Sequence, residues 1–322
     1  MAPSIIQTLH HHKLLLLLII FLFALPLSIS STPITEAEAL IAWKTSLPSS
    51  YPSLNSWSST NISNLCNWTG IACNSAGTVI TINLSSMNLN GTLNQFNFSS
   101  LPNLVSFNLN NNSLQGTIPP TISNLSKLTF LDLGSNYIDG NIPPEIAELS
   151  ELRILRLYNN ELVGPIPNQV SSLQNLQYLD LGSNYLESPD NWSEFSNIPS
   201  LTHLSLYYNE IDSEFPPFIL NSLNLTYIDL SINKLTGPIP DSITSLVKLQ
   251  HLNLTNNVFQ GPLLSVKWQK LISLKDLRLG QNEFTATIPS EFGYLSNLQK
   301  LELYNNSLTG VLPPSLSNLN QL

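Results

Sequence analysis

The chain has 322 residues, of which only 10% are charged, and 12 Lys+Arg against 21 Asp+Glu leave a net charge of −9. That acidic balance disfavours nucleic acid and anionic membrane surfaces as partners, because both are bound by clustered positive charge. Asn, Ser and Leu carry the composition instead, and the spacing of Leu and Asn is the informative feature.

In chain order, Lys13 is the only formal charge in residues 1–30, and an unbroken apolar run from Leu14 to Leu25 follows it. Pro26 and the small residues Ser28, Ser30 and Ser31 come next. A short basic start, about a dozen apolar residues and a small-residue exit read as a secretory signal peptide over 1–30. The run is shorter than the roughly 20 residues a membrane helix needs. The triplet His10 to His12 falls in the segment expected to be cleaved, so it carries little weight as a metal site. Loss of Lys13 gives 11 − 21 = −10 for the mature chain, and no later stretch is apolar enough to span a bilayer.

Thr35-Glu-Ala-Glu38 reads as a capping box opening a helix whose apolar side is Leu40, Ile41, Trp43 and Leu47. Trp57 and Trp68 follow, with Cys66 and Cys73 either side of Asn67 to Ala72. An exported chain favours pairing of the two cysteines. A metal site would need four ligands, and no His lies nearby. No base is within sequence reach of a catalytic thiol either, so the expectation is a structural staple, with no metal and no cofactor.

From Val79 onward one pattern repeats. Leu128-x-x-Leu131-x-Leu133-x-x-Asn136 recurs as Leu152-x-x-Leu155-x-Leu157-x-x-Asn160 and as Leu176-x-x-Leu179-x-Leu181-x-x-Asn184. The Asn positions are 112, 136, 160, 184, 209, 233, 257, 282 and 306, steps of 24 or 25 residues, and an earlier copy has Met87 at that place. A period of this length is the mark of a solenoid. Leu-x-Leu alternates in and out, so it predicts a short strand burying its leucines, and parallel copies stack at about 4.8 Å into one sheet. Each Asn is expected to point inward and satisfy turn backbone through its amide. The asparagines are therefore structural rather than ligand-binding.

The second half of the repeat carries Gly140-Asn-Ile-Pro143, Gly164-Pro-Ile-Pro167 and Gly237-Pro-Ile-Pro240, with Ala286-Thr-Ile-Pro289 replacing the glycine. A helical turn such as Glu145 to Leu149 is expected after each proline, on the convex side. The stretch from Leu186 to Phe195 lacks the motif and predicts a local bulge. The segment 31–77 supplies the cover that the first repeat needs. At the other end Leu322 falls in mid-pattern without cysteines, which reads as a truncated copy that leaves Leu301, Leu303 and Leu322 uncovered.

The spacing Leu-x-x-Leu-x-Leu-x-x-Asn-x-Leu-x-Gly-x-Ile-Pro resembles the plant-specific class of leucine-rich repeats. Ala39 to Lys44, Leu54-Asn-Ser-Trp57 and Cys66 to Cys73 resemble the N-terminal domain that precedes them. The likeness covers essentially the whole mature chain. It implies an α/β solenoid: a curved leucine-rich-repeat superhelix with a parallel concave sheet and a helical, disulfide-stapled N-terminal cap. The segment through Trp192 and Leu204-Ser-Leu-Tyr-Tyr-Asn209 is similar to the male-discoverer-interacting branch of plant receptor-like kinases. Such receptors carry a longer ectodomain, a membrane helix and a kinase, and sense extracellular peptides. Neither a glycine-rich phosphate loop nor His-Arg-Asp and Asp-Phe-Gly elements occur here, so the chain is expected not to be an enzyme.

The outward strand positions align in columns. One reads Phe130, Ile154, Tyr178, His203, Tyr227, His251, Asp276 and Lys300; the next reads Asp132, Arg156, Asp180, Ser205, Asp229, Asn253, Arg278 and Glu302. A third contains Tyr158, Tyr207 and Tyr304, with Tyr208 beside it. Tyrosine and arginine dominate binding energy at interfaces. The expected ligand-binding set is therefore Tyr158, Tyr178, His203, Tyr207, Tyr208 and Tyr227 with Arg156, Asp180 and Asp229. Ten strands give about 45 Å of sheet, room for about a dozen residues of extended peptide. Solvated strand faces also carry Tyr, Asp and Arg without binding anything, and Asp132 with Arg156 suits a lateral pair.

Asn-x-Ser/Thr acceptors occur at Asn61, Asn67, Asn83, Asn90, Asn97, Asn111, Asn124, Asn191, Asn224, Asn253 and Asn305. Asn83 and Asn253 fall on the concave strands, where sugar would restrict binding, and are expected to be modified less than Asn124. The functional expectation is an extracellular module for a peptide or protein ligand, with a leucine-rich-repeat co-receptor as a possible second partner. The resemblance implies the ectodomain part of a receptor-like kinase, or a shed or truncated form of one, at the cell surface or secreted. The competing reading is a secreted inhibitor of cell-wall-degrading enzymes of the polygalacturonase-inhibitor type. Those finish with a cysteine-bearing cap, whereas both cysteines here are N-terminal. Catalysis is the third reading; His203 with Asp180 or Asp229 has no nucleophile beside it.

Overall fold

The computed structural model describes residues 32–322; the signal-peptide expectation and the His10–His12 triplet lie outside them. The repeat leucines build the core as their spacing demands. Leu128, Leu131, Leu133, Leu152, Leu155 and Leu157 are all fully buried. Between them the concave sheet runs as eleven three- to five-residue strands, the first antiparallel and the rest parallel and adjacent in sequence order. Pairing is in register from repeat to repeat, so Tyr178 faces His203 and Tyr227 faces His251.

At the end of each strand the asparagine turns inward. Asn160 donates from Nδ2 to the carbonyls of Leu133 and Leu157, both at 3.0 Å, and its Oδ1 accepts the N–H of Ile138 at 3.0 Å. The same arrangement holds from Asn112, which accepts from Leu89 N–H, to Asn306, which accepts from Phe284 N–H. Met87 does not extend the ladder; its own N–H donates to Asn112 Oδ1. The residue before each ladder asparagine is left-handed, including Tyr208 at φ 52° and Ile232 at φ 54°.

Beyond the ladder the chain enters a second, flank sheet. Its strands Asn90–Thr92, Ser113–Gly116, Tyr137–Gly140, Glu161–Pro165 and Tyr185–Glu187 form one piece, and Thr236–Gly237, Val258–Pro262 and Glu283–Thr285 another. Gly140 shows why the motif opens on glycine: its φ is +68°, and a Cβ there would stand 2.8 Å from Thr117 Cγ2. Ala286 accepts the left-handed conformation at φ 62°. After the prolines come single 3-10 turns on the convex side, such as Pro144–Glu148 and Asp241–Ser245. The gap between the two flank pieces follows the Leu186–Phe195 stretch. Its departure is directed inward rather than outward: Trp192 is buried, donates from Nε1 to Ser213 Oγ at 2.7 Å and stacks on Phe218 at 5.6 Å.

The N-terminal segment covers the first repeat with aromatic surface. Trp43, Trp57 and Trp68 are buried and donate their indole N–H groups to the carbonyls of Thr92, Thr69 and Asn61. The helix Pro33–Ser46 opens earlier than its sequence suggests. Thr32 is the N-cap, with reciprocal bonds to Thr35, and Pro33 takes the first turn, where its missing N–H costs nothing. The box closes between Thr32 and Thr35, so Glu38 has no part in it, and Glu36 in the first turn accepts the N–H of Val79 at 2.9 Å, fully buried. Cys66 and Cys73 form a disulfide, and Ile71–Cys73 pairs antiparallel with Val79–Asn83, closing the sheet edge. In the last repeat Leu301 and Leu303 pack against the core while half-buried, whereas Val311 and Leu312 are exposed.

The ladder predicts an asymmetry between asparagines. Asn160→Ala leaves the buried N–H of Ile138 without its acceptor and takes one of two amide donors from each of the Leu133 and Leu157 carbonyls, which keep Asn136 and Asn184, a loss of about 1–3 kcal/mol, while Asn141→Ala on the exposed surface costs less than about 0.5 kcal/mol. Urea denaturation midpoints check this; equal effects would remove the ladder from its structural role.

Candidate functional site

The sheet brings the first outward column into a continuous stack. The rings of Tyr178 and His203 lie 3.9 Å apart at 7°, and those of His203 and Tyr227 lie 4.1 Å apart at 6°. His251 continues it at 5.7 Å from Tyr227, tilted by 41°. Strand spacing fixes the repeat distance, and ring planes standing across the sheet close the remaining gap to contact. At the other end the column has Ile154 where a ring would be needed. Arg156 fills that place, its guanidinium 4.6 Å from the Tyr178 ring and 5.9 Å from that of Phe130. Its Nη1 also reaches Asp132 Oδ2 at 3.5 Å, the lateral pair anticipated from sequence. From Phe130 to His251 the platform crosses five strand spacings, about 24 Å, or about seven residues of extended peptide.

The second row is built by glycine. Tyr158 lies over Gly134, and Tyr207 over Gly182, where a Cβ would stand 2.5 Å and 2.2 Å from the respective rings. Tyr158 Oη accepts from Asn110 Nδ2 at 2.8 Å, which holds the ring down. Tyrosine and glycine thus alternate in adjacent repeats, each ring taking space that the preceding residue leaves vacant.

The carboxylates of the expected set have a second occupation. Asp180 Oδ1 accepts the N–H of Gly182 at 3.1 Å, and Asp229 Oδ1 accepts that of Ser231 at 2.9 Å. Asp132 does the same for Gly134, and Asn253 for Thr255. The acidic column is therefore a series of turn-closing acceptors as well as a charged row. Asp229 Oδ2 further accepts from Asn253 Nδ2 at 3.1 Å.

Burial sets the charge state of the platform. It pushes the phenols of Tyr178 and Tyr207 up, and with Asp229 beside it raises Tyr227 to about 12. Burial also raises the Asp180 carboxyl against the opposing pull of the Gly182 N–H. His203 is drawn down to about 4, first by burial and then by its neighbours Arg156 and His251. At neutral pH Tyr178, His203 and Tyr227 therefore offer uncharged rings beside the Arg156 guanidinium. Among the described residues no group of three His, Cys, Asp or Glu is placed to hold a metal ion.

Of the expected residues, Tyr178, His203, Tyr227 and Arg156 come together, and Tyr158 and Tyr207 flank them. Tyr208 does not join them. Its left-handed backbone turns it to the outer flank, beside Tyr137 and Tyr185. Phe130 and His251 extend the stack at both ends and belong to the site; both stand in the same sequence column, which was the available signal. Gly134 and Gly182 were legible only as the partners of tyrosines one repeat later. Among the glycosylation acceptors, Asn124 is exposed on a convex turn, as Asn97, Asn67 and Asn191 are exposed elsewhere, and Asn61 and Asn224 are half-buried.

Two predictions follow from this geometry. Glycopeptide mapping of the secreted protein should find Asn124 occupied and Asn253, locked to Asp229 and Ser231, unoccupied; the reverse would contradict the placement. His203 should titrate near pH 4 by NMR. Its folded pKa lies below the unfolded value, so the unfolded chain binds the proton first. This contribution to stability is present above about pH 6.5 and is lost as pH falls towards 4. His203→Phe keeps the stack and should flatten that part of the melting-temperature profile; an unchanged profile would refute the buried neutral imidazole.

Comparison with known proteins places this geometry. A leucine rich repeat N-terminal domain model matches residues 33–74, and leucine rich repeat models match 143–211 and 103–125, 127–149, 224–246 and 297–319. A probable leucine-rich repeat receptor-like protein kinase of Arabidopsis thaliana is 41% identical over 99 residues, 30% of this chain and 9% of the relative. MDIS1-interacting receptor like kinase 2 of Arabidopsis thaliana is 42% identical over 93 residues, 28% of this chain and 9% of the relative. The crystal structure of PEPR1–AtPEP1 superposes with a TM-score of 0.80 at 31% identity, over 89% of this chain and 44% of that one. The Arabidopsis receptor kinase HAESA, in complex with the peptide hormone IDA and the co-receptor SERK1, gives 0.62 at 27% identity over 87% and 55%. The chain thus matches about a tenth of the length of these curated relatives and under half of the PEPR1 chain, and the kinases match only in their repeat region. The chain is a leucine-rich-repeat solenoid whose N-terminal domain and repeats are homologous to those of Arabidopsis leucine-rich-repeat receptor-like kinases.

Proposed function

We propose that this chain is the peptide-sensing extracellular part of a plant leucine-rich-repeat receptor-like kinase acting in signalling or defence. A signal peptide over 1–30 precedes a cap over 31–77 and about ten repeats over 78–322. The observation that carries the reading is the stack from Phe130 and Arg156 through Tyr178, His203 and Tyr227 to His251, on the concave face of a receptor-like solenoid. Flat neutral rings desolvate readily and need no reorganisation, which suits extended peptide with apolar or proline-rich character. Arg156 supplies one fixed cation for a carboxylate, and the rows of Tyr158 and Tyr207 border the track. The superposition with HAESA, whose complex holds a peptide hormone and SERK1, supports a peptide ligand and a co-receptor of the same repeat class.

The finer assignment, to the male-discoverer-interacting branch, rests on the Trp192 segment and Leu204–Asn209. The identity to MDIS1-interacting receptor like kinase 2 supports it, although the other relative matches as well. The relatives are receptor kinases, which disfavours an inhibitor of cell-wall-degrading enzymes. Because the likeness is confined to the repeat region, the shared part is a binding module and not a catalytic one.

The test is a screen of synthetic secreted plant peptides against the purified secreted chain. Tyr178→Ala and Tyr227→Ala should each weaken a hit by about thirtyfold, the scale of an interface hot spot. Calorimetry measures it, with Tyr294→Ala on the convex side as the unaffected control. Hits indifferent to both concave substitutions would overturn the assignment.

A further inference from the structure

A second surface, separate from the concave platform, lies on the flank. There the ladder turns and the flank sheet enclose a groove of about 390 Å³. Tyr137, Tyr185 and Tyr208 line it, each more than half exposed. Tyr137 and Tyr185 open flank strands two positions apart in the sheet, about 10 Å. The exposed side chains of Asn111 and Asn159 also line it, their Nδ2 groups donating to Ser86 and Ser135 Oγ, and Glu161 is the one charged residue of the lining.

The groove's chemistry selects among ligands. A polyanion finds no cation in it. A peptide seeking main-chain partners finds the turns already paired, since Ser135, Asn136, Asn159 and Asn160 all donate their N–H groups to the following repeat. What remains available is ring faces at intervals, with side-chain amide oxygens and hydroxyls beside them. A sugar chain presents the complement, with apolar C–H faces for the rings and hydroxyls for the amides. One carbohydrate source stands at the groove itself: Asn111-Asn112-Ser113 is a glycosylation acceptor, and Asn111 is among the lining residues.

We propose that this flank groove is a binding site for neutral carbohydrate, with Tyr137, Tyr185 and Tyr208 as stacking platforms. The sugar comes either from a glycan on Asn111 that folds along the groove or from a free neutral oligosaccharide. Two arms separate the sources, and neither depends on the concave ligand.

In the first arm the secreted glycoprotein is digested with a glycan-releasing amidase while folded. A glycan on Asn111 should be released about tenfold more slowly than one on Asn124, and Tyr137→Ala with Tyr185→Ala should abolish the difference. In the second, Asn111→Gln protein is titrated with cellohexaose and mannohexaose, using trigalacturonate as the anionic control. Binding of a neutral hexasaccharide should weaken about tenfold on Tyr185→Ala, the scale of one lost ring contact, with trigalacturonate bound at least tenfold more weakly. Each tyrosine is exposed, so unchanged thermal midpoints verify that the variants fold. Either result supports the proposal and names the source. No protection of Asn111 together with no hexasaccharide binding overturns it, and so does equal binding of trigalacturonate.

Discussion

The fold depends on one demand: every turn at the end of a concave strand directs main-chain groups into a leucine core where water cannot reach them. The ladder asparagine answers it. Its amide carries donor and acceptor at one short tip, so a single side chain closes its own turn and ties it to the preceding repeat. Aspartate would lack the donor, and glutamine would overshoot. The steps of 24 or 25 residues follow, because each amide must meet the same carbonyls in the coil before it.

With the core filled by leucine and the turns closed by asparagine, the outward strand positions are released from structural duty. In-register pairing then converts any residue type repeated at one position into a row. Here the row is aromatic, with neighbouring rings in contact, and burial drives the Tyr227 phenol up and the His203 imidazole down. The acidic row is less free than it looks in sequence, because Asp180 and Asp229 spend an oxygen each on the turn that follows. Glycine at 134 and 182 gives the tyrosines of the next repeat a place to lie. The platform is thus assembled from contacts between repeats, with little contributed within any one of them.

Departures from the pattern fall where the periodic solution fails. The first repeat has no predecessor, so tryptophans and an antiparallel strand cover its face. At Trp192 the missing Gly-x-Ile-Pro interrupts the flank sheet, and the space is filled by an aromatic cluster with Phe195 and Phe218. The concave sheet passes this point unbroken, since its own leucines and Asn184 and Asn209 are intact. The flank thus varies while the binding face stays continuous.

By itself, the sequence determined the period, the burial of the leucines, the inward asparagines, the cysteine pair and the columns of the concave sheet. Each follows from local alternation or from a strict repeat, which one dimension records faithfully. It misplaced the start of the cap helix: Thr32 is the N-cap, with Pro33 in the first turn, and its reciprocal partner is the Thr35 hydroxyl rather than a glutamate. It could not tell Tyr207 from Tyr208, neighbours in the chain. In-and-out alternation ends with the strand, and beyond it the left-handed backbone of Tyr208 sends one ring to the concave face and the other to the flank. The stacking, the Arg156 bridge over Ile154 and the inward turn of Trp192 were decided by tertiary structure alone, because they are contacts between side chains some 24 residues apart.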